Sequence, residues 1–414
     1  MNKIEFAEVE IKSQIKRSKL NKATGPDGIK NEIYKSLINS EICSNVLEKC
    51  FNLELQCKEK PDSWKTSTTI LIPKKKKPTP SQYRPIALTY SSYKLFIGMI
   101  KTIIEHHLES NEILSELQSR FTAKRRLEDN LFILDECKEE AFRRRKVLVM
   151  IAIDFSKAYD SIDIGKIIEI LTYYKVDGQI IDIVAEIYKN ESTKIKLGEG
   201  SEIDFEITNG IRQGCNLSPT IFKMITYRII EEVQYKCKGF NYDDLKINCI
   251  LYADDGIIFE ESIEETRNTV SYLTRESKKY GLEINTTKIS VLIYNCKQNI
   301  EEINRIKVGT EMKYLGVKKE IRRHKKEIVD KAKRLEGVSY GVLERSCSRM
   351  MIGKVYWKTV ALPSILHGSD VIDFIEKDVE KLQIIENNVY RKILRAPSFT
   401  PISVLRGEIG SSMM

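Results

Sequence analysis

Two adjacent carboxylates, Asp254 and Asp255, lie between two apolar runs in residues 251–259, LYADDGIIF. β-forming residues on both sides of an Asp-Gly pair predict a tight hairpin with the two acids at its tip. Because unpaired buried carboxylates are unfavourable, such a pair on apolar strands indicates a bound cation. Oxygen ligands without a nearby His or Cys indicate Mg²⁺. A solvated hairpin tip that binds nothing is the alternative, and this stretch alone does not decide between the two.

A third carboxylate, Asp154, lies near the end of a nearly continuous apolar run at residues 147–155. The run predicts a central strand buried on both faces. A carboxylate there needs a partner or a cation. Capping of the next helix is the alternative, but it suits Asp160 or Asp163 better. If this strand lies beside the 251–259 hairpin, three carboxylates meet at one sheet edge, which would form a two-metal site for in-line displacement at phosphorus.

The composition of the 414 residues, with 42% apolar and 31% charged side chains, is that of a soluble globular protein of two or three domains. The formal charge is +9, and basic residues form runs at 74–77, 143–146 and 318–334. A polyanion is the natural partner of such runs, and solvated surface is the alternative. No apolar run approaches the ~20 residues that a membrane helix needs, so no membrane partner is expected.

The nine cysteines contain no C-x-x-C pair and no Cys/His cluster with zinc spacing. This usage suits a reducing, intracellular compartment. Cys43, Cys50 and Cys57 recur every seven residues and therefore share one helix face. We expect them to be buried as small apolar residues rather than to bind a metal.

Periodicity predicts the remaining elements. Helices are expected over residues 32–56, 92–108, 129–144, 164–174, 180–189, 219–235 and 264–280, with two helices of a basic hairpin over 320–343 and a mostly helical tail from 350. Strands are expected over residues 64–73, 147–155, 193–197, 203–208 and 289–294. Ser218 is placed as a helix N-cap and Pro219 as the first helical residue.

Seven stretches, in order, resemble reverse transcriptases of non-LTR (LINE-type) retrotransposons. They are KATGPDGI (22–29), LIPKKKKPTPSQYRPIALT (71–89), IAIDFSKAYDSID (151–163), GIRQGCNLSP (210–219), LYADDGIIF (251–259), GLEINTTK (281–288) and KYLGV (313–317). The resemblance implies an α+β right-hand polymerase with fingers, a palm built on an antiparallel sheet, and a helical thumb. The implied divisions are residues 1–145 for an N-terminal segment and fingers, 146–317 for the palm with finger insertions, 318–349 for the thumb, and 350–414 for a helical post-thumb segment.

The same resemblance implies a metal site. Carried over by position, Asp154 and Asp254 bind two Mg²⁺ ions with help from the Phe155 carbonyl, and Asp255 supports the site. Mn²⁺ is a substitute metal in this reading. Lys288 corresponds to the lysine that protonates the departing pyrophosphate, and an ordinary surface lysine is the alternative.

A nucleotide site is implied as well. Tyr159 would lie under the incoming sugar and reject a 2′-hydroxyl, while also serving as a core aromatic residue. Gln213 and Gly214 would line the pocket for the nucleotide and template. Arg84 and one of the four lysines at 74–77, represented by Lys74, would bind the triphosphate.

The implied partners are an RNA template, a DNA primer and dNTPs, with the basic stretch from Lys318 along the nucleic-acid backbone. The implied location is the nucleus or cytoplasm. The chain departs from the family in residues 118–125, where Arg120 and Lys124 replace two glycines. No endonuclease domain is recognised before Lys22 and no zinc knuckle after the thumb. We therefore expect a fragment of a longer element protein or a decayed copy, with a separate endonuclease as a further partner.

Two other functions stay open from the sequence. One is a non-catalytic nucleic-acid-binding protein derived from such an enzyme, which the altered 118–125 stretch favours and the intact carboxylates oppose. The other is an RNA-dependent RNA polymerase, against which the bulky Tyr159 argues.

Overall fold

The computed structural model describes residues 3–76, 78–79, 82–113, 127–156, 159–196, 202–252, 255–284, 289–315, 317–320, 325–344, 348–367, 369 and 376–410. Its helices are α1 (Glu8–Arg17), α2 (Asn31–Leu37), α3 (Glu41–Cys57), α4 (Asp62–Lys65), α5 (Ser91–Ser110), α6 (Leu127–Arg144), α7 (Ile164–Tyr173), α8 (Gly178–Ile187), α9 (Ser218–Lys236), α10 (Ile263–Lys279), α11 (Lys325–Glu344), α12 (Arg349–Tyr356), α13 (Leu362–Leu366), α14 (Glu376–Leu394) and α15 (Ile402–Ile409), with a π-helical turn at Trp357–Ala361.

The strands are β1 (Thr66–Pro73), β2 (Tyr83–Leu88), β3 (Leu148–Ile153), β4 (Phe155–Ser156), β5 (Glu191–Lys196), β6 (Glu202–Ile207), β7 (Phe240–Tyr242), β8 (Leu245–Ile247), β9 (Cys249–Tyr252), β10 (Asp255–Glu260), β11 (Glu283–Ile284), β12 (Ser290–Tyr294), β13 (Glu302–Ile303), β14 (Ile306–Lys307), β15 (Glu311–Tyr314) and β16 (Val317–Glu320). The protein is therefore α+β, as the sequence predicts.

The central sheet has the strand order β12-β3-β10-β9, and every pairing in it is antiparallel. All six side chains of β3 are buried. Alternate β3 residues enter two different hydrophobic clusters, one shared with α9 and the other with α6. The prediction of a strand buried on both faces is confirmed, and so is the antiparallel sheet that the resemblance implies.

The mixed sheet has the order β2-β1-β5-β6. β1 pairs antiparallel with β2 and parallel with β5, and β5 pairs antiparallel with β6. The β1–β2 ladder ends at the Pro73–Tyr83 pair. It therefore brings Lys74, the residue after β1, close to Arg84 on β2.

The C-terminal helical unit, formed by α11 to α15, has its own hydrophobic cluster around Trp357, Val389, Tyr390 and Leu405. Within it α11 packs against α14. A hydrogen bond of 2.8 Å joins the His367 ring to the Leu315 carbonyl and so links this unit to β15. No helix among the described residues is long and apolar enough to cross a membrane.

Two predicted helices are wrong in extent. The helix expected over residues 32–56 is two helices, α2 and α3, because Ser40 caps a new start by accepting from the Cys43 amide at 3.4 Å. The helical hairpin expected over residues 320–343 is the single helix α11, preceded by β16.

Two finer predictions are also wrong. Ser218 is the first residue of α9, Leu217 is its N-cap, and the Ser218 hydroxyl donates to the Arg212 carbonyl at 2.8 Å. Cys50 and Cys57 are exposed and Cys43 is half-buried, because α3 turns Phe51 and Leu55 toward the core instead. A seven-residue spacing identifies one face of a helix but not which face is buried.

Candidate active site

Asp154 follows β3 directly, at the edge of the central sheet. β10 pairs with β3 so that Gly256 is opposite Ile153. Asp154 and Asp255, the next residues on each side of this last pair, therefore lie at the same end of the two strands, although a hundred residues separate them in the chain. Asp255 pairs with Tyr252 on β9, which confirms the hairpin. The prediction that Asp255 lies at its tip is wrong, because Asp255 and Gly256 are already paired in β10 and the connection is one residue earlier in the chain. Asp254, in the two-residue connection of that hairpin, lies outside the described residues.

Asp154 and Asp255 fit a divalent metal by their chemistry. Both are half-buried, and like charges at the same end of neighbouring strands favour a bound cation. Their donors, together with the Phe155 carbonyl, are all oxygen, which suits a hard cation such as Mg²⁺. Within the described residues no three His, Cys, Asp or Glu side chains form a metal cluster. The predicted third acid, Asp254, is not among those residues.

A large cleft of about 1390 Å³ opens beside this edge. It brings together most of the site residues that the sequence predicts: Lys74, Arg84, Asp154, Phe155, Tyr159, Gln213 and Gly214. Five further cations line the same cleft: Arg17, Lys19, Lys22, Lys94 and Lys101. The carboxylates of Glu105, Asp154 and Asp160 line it as well. A cleft with this excess of cations can hold a polyanion beside Asp154.

Phe222 of α9 supports two of the predicted residues. Its ring stacks on Tyr159, with centroids 5.2 Å apart and planes 18° apart, and meets Phe155 edge-on at 6.4 Å. Tyr159 is half-buried and lines the cleft. The two uses foreseen for Tyr159, as a core aromatic residue and as a surface under a ligand, are therefore sterically compatible.

The loop that carries Gln213 and Gly214 is fixed on both sides. The Gln213 carbonyl accepts from the Ala87 amide of β2 at 2.8 Å, and its side chain donates to Asp160 at 3.3 Å. Gly214 has φ +106°, and an added Cβ would come within 3.0 Å of the Ala87 carbonyl oxygen. Glycine is needed here for both reasons.

A buried charge cluster, formed by Lys60, Glu191 and Arg212, lies behind this loop. The Arg212 Nε is 3.0 Å from a Glu191 oxygen, and Lys60 Nζ is 3.9 Å from the other. Arg212 also donates to the Lys65 carbonyl at 3.0 Å. Burial raises the pKa of the Glu191 carboxyl, against the opposing charges of Arg212 and Lys60. The cluster joins the start of β5 to the residue before Gln213.

Several residues of the site escaped the sequence reasoning. Asp160 contacts Gln213, although its sequence suggested only a helix cap. Asn130 of α6 donates to the Tyr314 hydroxyl at 3.1 Å and the Leu251 carbonyl at 3.0 Å. Burial raises the pKa of the Tyr314 phenol, and the charge of Asp255 adds to the rise. A buried Asn next to apolar helix residues was the only available signal.

Besides Asp254, three predictions fall on residues that the structure does not describe: Lys288, Lys77 as one of the four lysines, and the departure at residues 118–125.

Curated proteins similar to this chain are retrotransposon proteins. A Pol polyprotein from the type-1 retrotransposable element R2 of Nasonia vitripennis is 23% identical over 94% of this chain and 38% of its own length. A Pol polyprotein from the type-2 retrotransposable element R2DM of Drosophila melanogaster is 25% identical over 66% of this chain and 25% of its own length. The chain thus spans well under half of the length of these relatives.

Solved structures similar to this chain include two of Candida tropicalis telomerase. Its complex with a TWJ fragment of telomeric RNA has a TM-score of 0.46 and 15% identity, over 92% of this chain and 65% of that one. The apo enzyme has a TM-score of 0.48 and 14% identity, over 89% of this chain and 70% of that one.

The family comparison covers more than half of the chain. The family described as reverse transcriptase (RNA-dependent DNA polymerase) matches residues 72–319, which contain the cleft residues from Lys74 to Gly214 and the 251–259 hairpin. The match confirms the resemblance drawn from the ordered motifs. This chain belongs to the reverse transcriptase family.

Proposed function

We propose that this chain is the RNA-directed DNA polymerase portion of a non-LTR retrotransposon protein. One observation supports this most: the β3–β10 pairing brings Asp154 and Asp255 to the same end of two neighbouring strands, beside a cleft that Asp154, Lys74 and Arg84 line. Acids at one sheet edge and cations across a cleft are what nucleotidyl transfer to a primer 3′-hydroxyl requires.

Reverse transcriptases copy an RNA template by extending a nucleic-acid primer and use divalent metal ions. For this chain we take the metal to be two Mg²⁺ ions, with Mn²⁺ as a substitute. Asp154, Asp254 and the Phe155 carbonyl would hold them, and Asp255 would support the site. When bound, such ions lower the pKa of the attacking hydroxyl and stabilise the charge of the leaving group.

The other residues of the site bind and orient the incoming nucleotide, and one of them transfers a proton. Lys74 and Arg84 neutralise the triphosphate of the incoming dNTP. Tyr159, backed by Phe222, supports the sugar and leaves no room for a 2′-hydroxyl. Gln213, fixed through Asp160, orients the nucleotide or its template base. Lys288 donates the proton that pyrophosphate takes up on leaving.

The proposal assigns a role to each part of the chain. Residues 1–145 act as the N-terminal segment and fingers, 146–317 as the palm, 318–349 as the thumb and 350–414 as a post-thumb segment. A DNA primer, an RNA template and dNTPs are the substrates. A separate endonuclease supplies strand cleavage, and the protein acts in the nucleus or cytoplasm.

Primer extension tests the proposal. We expect the protein to incorporate dNTPs on a primed homopolymer RNA template with Mg²⁺. Asp154→Asn and Asp254→Asn should each lower the rate by about a hundredfold to a thousandfold, since each removes charge that stabilises the transition state. Asp204→Asn is the control, because it removes an equal charge from an exposed position on β6.

Two other outcomes of the primer-extension assay would contradict this proposal. Folded protein without incorporation under any template or metal condition, but with salt-sensitive RNA binding that survives Asp154→Ala, would establish a non-catalytic binding protein. A preference for rNTPs over dNTPs would establish an RNA polymerase.

A further inference from the structure

The C-terminal helical unit contains a basic cavity far along the chain from the acids of the cleft. Its volume is about 390 Å³, and it forms where the end of α11, the start of α12 and the end of α14 meet. Four cations line it, together with Tyr340 and Asn388: Arg349, Arg391, Lys392 and Arg395. No carboxylate is among the described residues that line it. Four like charges in one cavity repel each other, so the arrangement is favourable only with an anion.

Two of these arginines have donors that no described residue satisfies. The Nε atoms of Arg349 and Arg391 are both buried, and neither has a hydrogen-bond partner in the described part of the chain. A buried donor without an acceptor is costly, and a charged one more so. Lys392 lies over the Tyr340 ring at 5.2 Å, which holds a third charge at the same place. These donors therefore indicate a missing acceptor.

The start of α12 adds to the positive potential. Arg349 is the first residue of this helix, its N-cap Ser348 makes no side-chain capping bond, and its first turn contains no acid. The first backbone amides of a helix have no partner within it and carry partial positive charge. Such a helix start, beside arginines, is a common site for phosphate groups.

We propose that this cavity binds phosphates of a nucleic-acid backbone. A neighbouring cavity of about 430 Å³ shares Arg349 and Arg395 with it and is otherwise lined by Glu344 and apolar residues, so the cations are concentrated in the first cavity. Only the choice of nucleic acid as the anion rests on the proposed function. The shared ligand chemistry is the phosphodiester, supplied by the RNA template or by the DNA strand.

A variant at Arg395 tests this without a folding penalty. Arg395 has φ +54°, a conformation that glycine adopts more easily, so Arg395→Gly removes the charge while relieving the backbone. Lys175→Gly is the matched control, because Lys175 is exposed, has φ +55° and does not line the cavity. The double variant Arg391→Gln, Lys392→Gln removes two further charges.

Binding is measured by fluorescence anisotropy in EDTA with three probes: single-stranded RNA, an RNA–DNA hybrid and duplex DNA. We expect Arg395→Gly to weaken binding by about threefold to tenfold and to reduce the salt slope by about 0.7–0.9, the loss of one phosphate contact. The double variant should lose more, and Lys175→Gly nothing. The probe with the largest loss identifies the strand that supplies the phosphate.

The proposal is overturned if Arg395→Gly has the same affinity and the same salt slope as Lys175→Gly on all three probes. If the double variant melts early, the Arg395→Gly result decides alone. The binding measurement in EDTA does not depend on polymerase activity. A protein that binds these probes through the cavity but incorporates no dNTPs would therefore contradict the proposed function and not the proposed phosphate site.

Discussion

The central sheet and the mixed sheet are both four-stranded, but different forces hold them. β3 and β10 of the central sheet have apolar side chains buried on both faces. The mixed sheet is joined at its base by hydroxyl pairs, including Thr69 with Thr193 at 2.7 Å, and by the Lys60–Glu191–Arg212 cluster. In the outer part of this sheet, Ile70 is 40% exposed to solvent and Phe205 is 48% exposed.

This difference separates two tasks. The central sheet holds like-charged acids, and close packing on both faces resists their repulsion. The mixed sheet carries two of the cleft's cations, Arg84 on β2 and Lys74 directly after β1. Its attachment to the rest of the protein depends on a few buried polar contacts. Such contacts are sensitive to the loss of one partner and to pH, whereas apolar packing is sensitive mainly to lost volume.

Arg212→Met should have the largest effect on stability. It leaves Glu191 buried beside Lys60 alone, so we expect the free energy of unfolding to fall by about 3–5 kcal/mol. Adding Glu191→Gln to Arg212→Met should recover part of this loss, because the uncompensated charge is then gone. Urea unfolding of the two single variants and the double variant measures the coupling. Additive losses would show that the cluster does not hold the mixed sheet.

Truncation of one isoleucine in each sheet compares the packing directly. Ile258 on β10 is fully buried, so Ile258→Ala should cost about 2–5 kcal/mol. Ile70→Ala on β1 makes the same chemical change at a site that is 40% exposed, and should cost within about 1 kcal/mol. Thermal or urea unfolding gives both values. Equal losses would contradict the contrast between the sheets.

The third prediction concerns pH and is the smallest in effect. Burial lowers the pKa of Lys60 from 10.5 to about 8, although the Glu191 charge opposes the shift. Below pH 8 the lysine is protonated in both states. Between pH 8 and 10.5 only the unfolded chain keeps its proton, so the wild type should gain stability as pH rises through this range.

Lys60→Met serves as the reference, because buried thiols and phenols titrate in both proteins alike. The unfolding free energy of the wild type, minus that of Lys60→Met, should rise by about 1–3 kcal/mol from pH 8 to pH 10.5. A difference that stays constant or falls would contradict the lowered pKa of Lys60 and would mean that solvent or its partners keep this lysine protonated in the folded protein.

The local sequence pattern was sufficient to predict most helices and strands, but not which of their residues are buried. The apolar run before Asp154 indicated β3, because a strand buried on both faces is apolar along its whole length. The break between α2 and α3 was missed since apolar spacing continues through it, although Ser40 was available as a cap. The exposure of Cys50 and Cys57 depends on which face of α3 meets the core, and that is a property of its neighbours.

The amino-acid sequence by itself determined the family, through seven motifs in order, and the residues offered for chemistry, because side-chain types and short spacings are local properties. Only the tertiary structure decided that Asp154 and Asp255 lie at the same end of β3 and β10 and that Lys60, Glu191 and Arg212 meet behind the Gln213 loop. These contacts join residues from 21 to 152 positions apart, and strand order and register, which arise from packing of the whole chain, bring them together.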